Sequence, residues 1–324
     1  MNQLLQWIMM HSGEGKSMHI FIVNPKAGNG RAKKVFSKIA KSDLYQQINS
    51  LVMFTKYPGH AEEITSCLHL KYSNITCLIV IGGDGTIHEV LNGLQDKAIS
   101  IAYIPGGSGN DFARGCGIKG KPLLLFQQIV KDPSTFPYWL GNYEINGTPR
   151  HFVNSFGFGF DAAITHAANK SIYKKILNLF RLATFTYSIA LLHLLFRFRP
   201  IDVVLTIDDK KRFIPNCWMV TAANHPFYGG GMKIIPDAQI QPDTFPVLIL
   251  HSISRLKVLA LFITVFSGKH INFKEVEIVQ VHELEIAANT VAYYQVDGQP
   301  GVCSTCKISK QSQSISVIKT SLVE

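Results

Sequence analysis

CLIVIGGDGTIHEVLNGL, residues Cys77 to Leu94, is the stretch that decides the fold. Five apolar residues in a row, Cys77 to Ile81, read as a strand buried on both faces, because a half-exposed strand would alternate. Gly82-Gly83-Asp84-Gly85 then lets the backbone turn sharply, and Ile87, Val90, Leu91 and Leu94 recur at helical spacing. The same sequence of events repeats on either side. ISIAYIP (99–105) runs into Gly106-Gly107-Ser108-Gly109-Asn110, and Asp111-Phe-Ala-Arg114 opens another helix. Upstream, MHIFIV (18–23) ends in Asn24-Pro25 and is followed by a helical stripe at Ala32, Val35, Phe36 and Ile39. INSLVMF (48–54) then leads to a helix with Ala61, Ile64 and Leu68 on one face. Strand–helix alternation with continuous apolar strands predicts a doubly wound, parallel α/β domain over 18–135.

The pattern changes after Pro133. WLGNYEIN, HFVNSFGFGF, IDVVLTIDD, KRFIPNCWMVTAAN, FPVLILHSI, VEIVQVHELEIAA and YYQVDGQ read as strands joined by short turns, with helical stretches near 161–197 and 255–267. This predicts a second, β-rich and sandwich-like domain over 136–304, reached through a linker at DPSTFP (132–137).

At 324 residues, with 47% hydrophobic and 17% charged residues and a mean hydropathy of +0.14, the chain can bury two cores, which excludes wholesale disorder. No run reaches the roughly 18 uncharged apolar residues of a spanning helix. The first 17 residues lack the basic region and cleavage site of a signal peptide, so Asn74-Ile-Thr76 and Asn146-Gly-Thr148 are read as idle glycosylation matches. Six scattered cysteines, with one CxxC at Cys303 and Cys306, fit reduced thiols in a cytoplasmic protein better than a zinc site. The net charge of +10 asks for an anionic partner, but no run of five basic residues marks a nucleic-acid arm.

Three glycine loops follow three parallel strands: Asn24-Pro25-Lys26-Ala27-Gly28-Asn29-Gly30, Gly82 to Thr86, and Gly106 to Asn110. The carboxyl ends of parallel strands share one edge of the sheet, so the loops converge and offer bare amides and helix N-termini to phosphate. Asp84, among the glycines, is placed to hold a magnesium-linked water or act as a base. Gly13-Glu14-Gly15-Lys16-Ser17 ends like a phosphate loop, but Met10 stands where glycine is required and no strand precedes it. Downstream, Asp297 in Val296-Asp297-Gly298-Gln299 reads either as a base or as an Asp-Gly hairpin turn. Asn224 with Gly229-Gly230-Gly231 reads as a site loop or a plain connection. Asp237 and Asp243 read as cation ligands or solvated acids. The segment 172–198, rich in Leu and Phe, reads as core or as the wall of a lipid pocket edged by Arg181, Arg197 and Arg199.

Taken in order, NPKAGNGR (24–31), TKYPGHA (55–61), GGDGTIHEVLNGL (82–94), IPGGSGNDFAR (104–114), NSFGFGFDA (154–162), NHPFYGGGMKIIPDA (224–238) and VDGQP (296–300) resemble the diacylglycerol kinase catalytic-domain family, related to sphingosine and ceramide kinases. The resemblance implies a phosphofructokinase-like nucleotide domain and a β-rich domain, forming two lobes with a cleft, with strands from about 305–324 returning to the first. It implies ATP and Mg2+ as cofactors and a lipid as acceptor. The nucleotide set carried over is Asn24, Pro25, Lys26, Ala27, Gly28, Thr55, Gly82, Gly83, Asp84, Gly85, Thr86, Glu89 and Ser108. Asp84 resembles the acid tied to magnesium, and Asp297 the proposed base, a role for which Asp84 competes. Gln299 replaces the family's usual Glu, and Pro242-Asp243 departs from the acid loop that holds a structural metal, so Asp237 and Asp243 are doubtful ligands.

The reading is therefore an ATP- and magnesium-dependent lipid kinase acting on a diacylglycerol-like hydroxyl. Its partners are ATP and a lipid, with no nucleic acid. It is expected in the cytoplasm, attached peripherally to the inner face of the membrane, with a homodimer left open. The alternatives are an NAD-kinase-like enzyme with a soluble substrate and a weakly catalytic homologue that senses nucleotide or lipid.

Overall fold

A computed structural model describes residues 17–94, 98–170 and 195–320. The chain divides into two compact units. The first holds residues up to Ser108, Cys116–Pro137 and the segment from Ile315, and the second holds Gly109–Gly115 and Tyr138–Ser314.

The first unit is built on strands β1 (Met18–Val23), β2 (Ser50–Phe54), β3 (Ile75–Gly82) and β4 (Ser100–Pro105), paired in parallel in the order β2-β1-β3-β4. Ile20–Val23, Leu78–Ile81 and Ile101–Ile104 are wholly buried, as continuous apolar strands require. Right-handed crossovers send the helix Ala27–Ala40 to one face and the helices His60–Ser66 and Asp84–Gly93 to the other, since the chain moves along the sheet in opposite directions between them. The packing agrees. Ala27–Ala40 lies against Pro122–Lys131, and His60–Ser66 against Asp84–Gly93. Gly93 has room for no side chain there, because a Cβ would stand 2.4 Å from the Glu62 carbonyl oxygen. On the other face, Phe21 packs its ring on Phe36, Tyr45 and Phe126.

Two boundaries differ from the sequence reading. DPSTFP is not a bare linker: Thr135–Tyr138 forms β5, at the end of the first sheet. Phe136 and Tyr138 supply alternate apolar side chains, enough for an edge strand despite Pro137. The returning segment is also shorter. Residues 299–310 pair within the second sheet, and Ile315–Ile318, here β17, joins the first beside β4.

The second unit contains β6 (Gly141–Ile145), β7 (Thr148–Phe152), β8 (Ser155–Gly159), β9 (Ile201–Ile207), β10 (Lys210–Ala223), β11 (Phe227–Tyr228), β12 (Met232–Lys233), β13 (Phe245–His251), β14 (Val276–Val281), β15 (Glu283–Val296) and β16 (Gln299–Lys310). Its large sheet runs β14-β13-β10-β8-β15-β16-β6-β7. β8 and β9 lie end to end in one lane, each pairing with both β10 and β15. Irregularities at Ile214/Cys217 and Ala287/Ala292 mark where the lane changes hands.

Both faces are buried. Along β13, Val247 and Ile249 enter one core while Leu248 and Leu250 enter the other. The first core gathers Tyr143 and Phe152 from one end of the sheet with Phe245 and Val281 from the other. Strands at opposite ends can share a core only if the sheet curls over itself, which makes the domain sandwich-like. The predicted helical stretch 255–267 forms Arg255–Thr264, and the one near 161–197 begins as Phe160–Lys170. The lipid-wall reading of 172–198, Arg181 included, falls mostly outside the described residues. No described helix is long and apolar enough to cross a membrane.

Candidate active site

In the first unit the strand order reverses between β2-β1 and β3-β4, and open α/β sheets take ligands at the carboxyl end of such a switch point. The loops after β1, β3 and β4 meet there. Gly28, Asn29 and Gly30 all have left-handed backbones (φ 57°, 55° and 86°), so the loop unwinds the start of its helix and turns its amides outward. A Cβ on Gly28 would lie 2.3 Å from the Gly106 carbonyl oxygen, and one on Gly106 would lie 2.7 Å from the Ala32 Cβ. A Cβ on Gly83 would press the Gly107 Cα at 3.2 Å. The loops therefore touch backbone to backbone, which only glycine permits at the closest points.

Hydrogen bonds lock this arrangement. Gly106 N donates to Gly82 O (2.7 Å), Asn24 N to Ile81 O (3.0 Å), and Asn24 Nδ2 to Thr86 Oγ1 (3.0 Å). Asn24 Oδ1 accepts from Lys26 N (3.1 Å), and Arg31 Nη1 donates to Gly107 O (2.9 Å). Thr55, directly after β2, is buried, and its amide donates to Val23 O (2.9 Å). Asp84 stands in the first turn of its helix, half-buried with Gly85, while Ser108 and Lys26 are exposed. Glu89 does something the sequence did not announce: its Oε2 accepts from Ala61 N (3.2 Å), capping the helix His60–Ser66. Pro25 and Ala27 belong to the same unwound turn, and Ala27 N donates to Asn24 O (3.1 Å).

The second unit holds a separate polar cluster at its strand ends. Asp297 and Gly298 form the two-residue turn joining β15 to β16, with φ of 48° and 83°. Hairpin and functional residue are thus not exclusive readings. The Asp297 carboxylate accepts three backbone N–H groups, from Val153 (2.7 Å), Asn154 (2.7 Å) and Ser155 (3.0 Å). Gln295, 2% exposed, accepts from Gly298 N (2.9 Å) and donates to Asp161 Oδ2 (3.4 Å). Asp161 itself is buried, its Oδ1 has no hydrogen-bond partner among the described residues, and burial pushes its carboxyl up to about 6.

His225 hydrogen-bonds Asn154 Oδ1 through Nε2 (2.9 Å), and burial holds its imidazole down at about 4, so it is neutral at pH 7. Since Nδ1 accepts from Phe227 N (3.3 Å), the proton sits on Nε2. Lys310 Nζ donates to Asn224 Oδ1 (2.5 Å), while Asn224 Nδ2 donates to Val153 O (2.8 Å). Burial lowers the Lys310 ammonium to about 7. Asp111 Oδ2 accepts from Gly230 N (2.7 Å) and Oδ1 from Arg114 Nη1 (2.9 Å), while burial raises the carboxyl against those bonds. The loop Gly229–Gly231, left-handed throughout, is therefore a receptor for the Asp111 carboxylate. Tyr228 is raised by burial first and then by the charges of Asp161 and Asp111. Asp161, His225 and Lys310 were missed as functional candidates. Asp161 and His225 lie inside stretches already singled out, but only tertiary burial reveals their perturbed protonation. Asp237, Asp243 and Gln299 are exposed.

Glycine loops packed backbone to backbone at the carboxyl ends of parallel strands have the chemistry of a phosphate site. No group of three or more His, Cys, Asp or Glu that could hold a metal occurs among the described residues. Asp84 supplies one hard oxygen, which suits a magnesium carried mainly by phosphate oxygens and water.

A glycine-cradled parallel sheet followed by a curled β-rich domain defines a class of two-domain kinases. Residues 18–135 match the diacylglycerol kinase catalytic domain, and 154–318 match the YegS C-terminal NAD kinase beta sandwich-like domain. The chain belongs to this diacylglycerol kinase catalytic-domain family of lipid kinases. It is 32% identical to YtlR of Bacillus subtilis, named as a candidate lipid kinase, over 86% of this chain and 92% of that one. It is 26% identical to a diacylglycerol kinase of Mycobacterium tuberculosis over 92% and 94% of the two chains. The fold is that of a diacylglycerol kinase from Bacillus anthracis (TM-score 0.65, 19% identity, 97% and 100% covered) and of a second chain from that organism (TM-score 0.73, 21% identity, 97% and 100% covered).

Proposed function

We propose that the protein transfers the γ-phosphoryl group of magnesium-bound ATP to the hydroxyl of a diacylglycerol-like lipid at the inner face of the cytoplasmic membrane. The observation that carries this reading is the glycine cradle, in which Gly28, Gly83, Gly106 and Gly107 approach within one side-chain radius of each other. A surface of backbone amides binds phosphate without committing a charged side chain. Asn24 and Thr86 brace the cradle, Thr55 lines its edge, and Asp84 would hold the metal side of the nucleotide. Magnesium, when bound, supplies neutralisation of charge on the phosphate oxygens.

Asp297 would accept the proton of the attacking lipid hydroxyl. Its three amide donors fix its orientation, so proton transfer needs no rotation of the carboxylate. Neutral His225 and the Asn154 amide would hold the surrounding segment in place. Most of the rate would come from positioning and charge placement, since phosphoryl transfer asks for little covalent help.

The test is transfer of labelled phosphate from ATP to diacylglycerol, monoacylglycerol, phosphatidylglycerol, sphingosine, ceramide and undecaprenol in mixed micelles, with NAD as the soluble control. A labelled lipid abolished by Asp297→Asn supports the reading, and labelled NAD alone overturns it. Gln299, which lacks the acid usual at that position, favours a second reading as a weak enzyme that senses lipid or nucleotide. ATP binding without turnover on any acceptor would select it.

A further inference from the structure

The helix Arg255–Thr264 is apolar on both sides. Val258, Leu261 and Val265 enter the second core of the β-rich domain. On the opposite side Leu256 (77% exposed) and Ile263 (70%), two helical turns apart, stand in solvent, and Phe266 (49%), in the turn just past the helix, adds a half-exposed ring set edge-on to Phe262. A single exposed leucine is unremarkable, but an aligned stripe on a helix whose other face is already satisfied has no folding role.

The surroundings state what kind of partner fits. From Ser252 to Lys274 the chain contains no acidic residue, while Arg255, Lys257, Lys269 and Lys274 are basic; Lys257 is paired with Glu275 (2.5 Å), which leaves Arg255, Lys269 and Lys274 as the excess positive charge. Arg255 reaches across to the carbonyl oxygens of Phe196 (2.5 Å) and Phe198 (3.3 Å), so a second segment borders the stripe. That segment adds an exposed Phe196 (64%) and two exposed arginines, Arg197 and Arg199, for which no ion pair occurs among the described residues. Arg197 and Arg199 also edge a cavity of about 360 Å³ against Gly159, Ala163 and Tyr293. Apolar side chains rimmed by an excess of cations, with Glu275 answering Lys257 alone, repel a basic protein surface such as a second copy of this chain (net charge +10) and suit an anionic bilayer.

We infer that the outer face of the helix Arg255–Thr264, together with Phe196–Arg199, docks the protein on an anionic lipid surface, inserting Leu256, Ile263 and Phe266 below the headgroups. The inference rests on the lipid-kinase reading only for the benefit of docking; the docking itself is read from the stripe and its charge.

The experiment compares co-sedimentation of the full chain with vesicles of phosphatidylcholine alone and of phosphatidylcholine with phosphatidylglycerol, at low and high salt. The wild type is expected to partition onto the anionic vesicles and to be released by salt. Leu256→Ser with Ile263→Ser, both exposed and so tolerated by the fold, should weaken partition at least about tenfold. Phe213→Ser, at an exposed phenylalanine (62%) on β10, should leave it unchanged. Unaltered partition of the double variant would overturn the inference. So would a wild type that ignores vesicles but forms a dimer broken by the double variant. Turnover separates the two readings. Docking predicts that the double variant loses activity on vesicle lipid but keeps it on monodisperse dioctanoylglycerol. If the wild type phosphorylates neither, the kinase reading falls while the sedimentation result still decides the docking.

Discussion

Replacing Asp297 by Asn tests the second unit most sharply, because it removes a charge without changing size. Asn accepts a left-handed backbone nearly as well as Asp, so the φ of 48° contributes little. The hydrogen bonds decide the outcome. An amide oxygen can replace Oδ1 and keep the amides of Asn154 (2.7 Å) and Ser155 (3.0 Å), but the NH2 group must then face the Val153 amide at 2.7 Å, donor against donor. Losing one bond to a charged acceptor costs about 1.5–3 kcal/mol, and the two retained bonds become neutral and lose roughly half their strength. The sum is about 3–5 kcal/mol. At about 2–4 °C per kcal/mol for a cooperative unit the size of the second one, its melting temperature should fall by roughly 10 °C. Turnover at a temperature where the variant remains folded should fall about 10²–10⁴-fold if the carboxylate is the base, with ATP affinity unchanged. Scanning calorimetry, nucleotide titration and lipid phosphorylation read the three quantities. A variant that melts like the wild type would refute the anchoring argument, and one that turns over within a few-fold would refute the base.

Three further outcomes follow from the geometry. Gly28→Ala forces a Cβ to 2.3 Å from the Gly106 carbonyl oxygen at a φ of 57°, so about 2–4 kcal/mol of strain and clash should separate the loops. Calorimetric titration should show ATP binding lost, and wild-type affinity would disprove the cradle. Asp161 has a folded value raised from 3.8 to about 6, so the folded state holds the extra proton between those limits and stability is lost as pH rises through them. Asp161→Asn should therefore melt higher than the wild type at pH 8, with the difference vanishing below about pH 4. A variant that is less stable at pH 8 would show that the ionised form is favoured by the fold. Lys310 is lowered to about 7, so its charge is lost as pH climbs through neutrality. If that charge serves the reaction, kcat/KM falls above about pH 7, and Lys310→Arg, charged throughout, should carry the alkaline limb upward by more than one pH unit. An unmoved limb would exclude Lys310 as its origin.

The sequence by itself determined the parallel sheet and its ligand edge. Uninterrupted apolar runs at Ile20–Val23, Cys77–Ile81 and Ile101–Ile104 have no stable use except between two layers of helix, and a glycine loop after each run marks the strand ends. These are local signals, with periods of two to four residues, and so they survive in one dimension. The strand at Thr135–Tyr138 hid behind a composition typical of turns, and residues 305–310 were drawn to the wrong sheet. The sequence shows that a segment is a strand but not which edge it pairs with. What only the tertiary structure decided was the state of the polar residues. Nothing within a few positions of Asp161, His225 or Lys310 announces that each is buried beside others far along the chain, yet desolvation by those distant segments is what moves their protonation. Asp297 shows both halves at once. Its Asp-Gly turn was legible from two letters, while the three amides that hold its carboxylate come from 142–144 residues away and exist only because β8 pairs with β15.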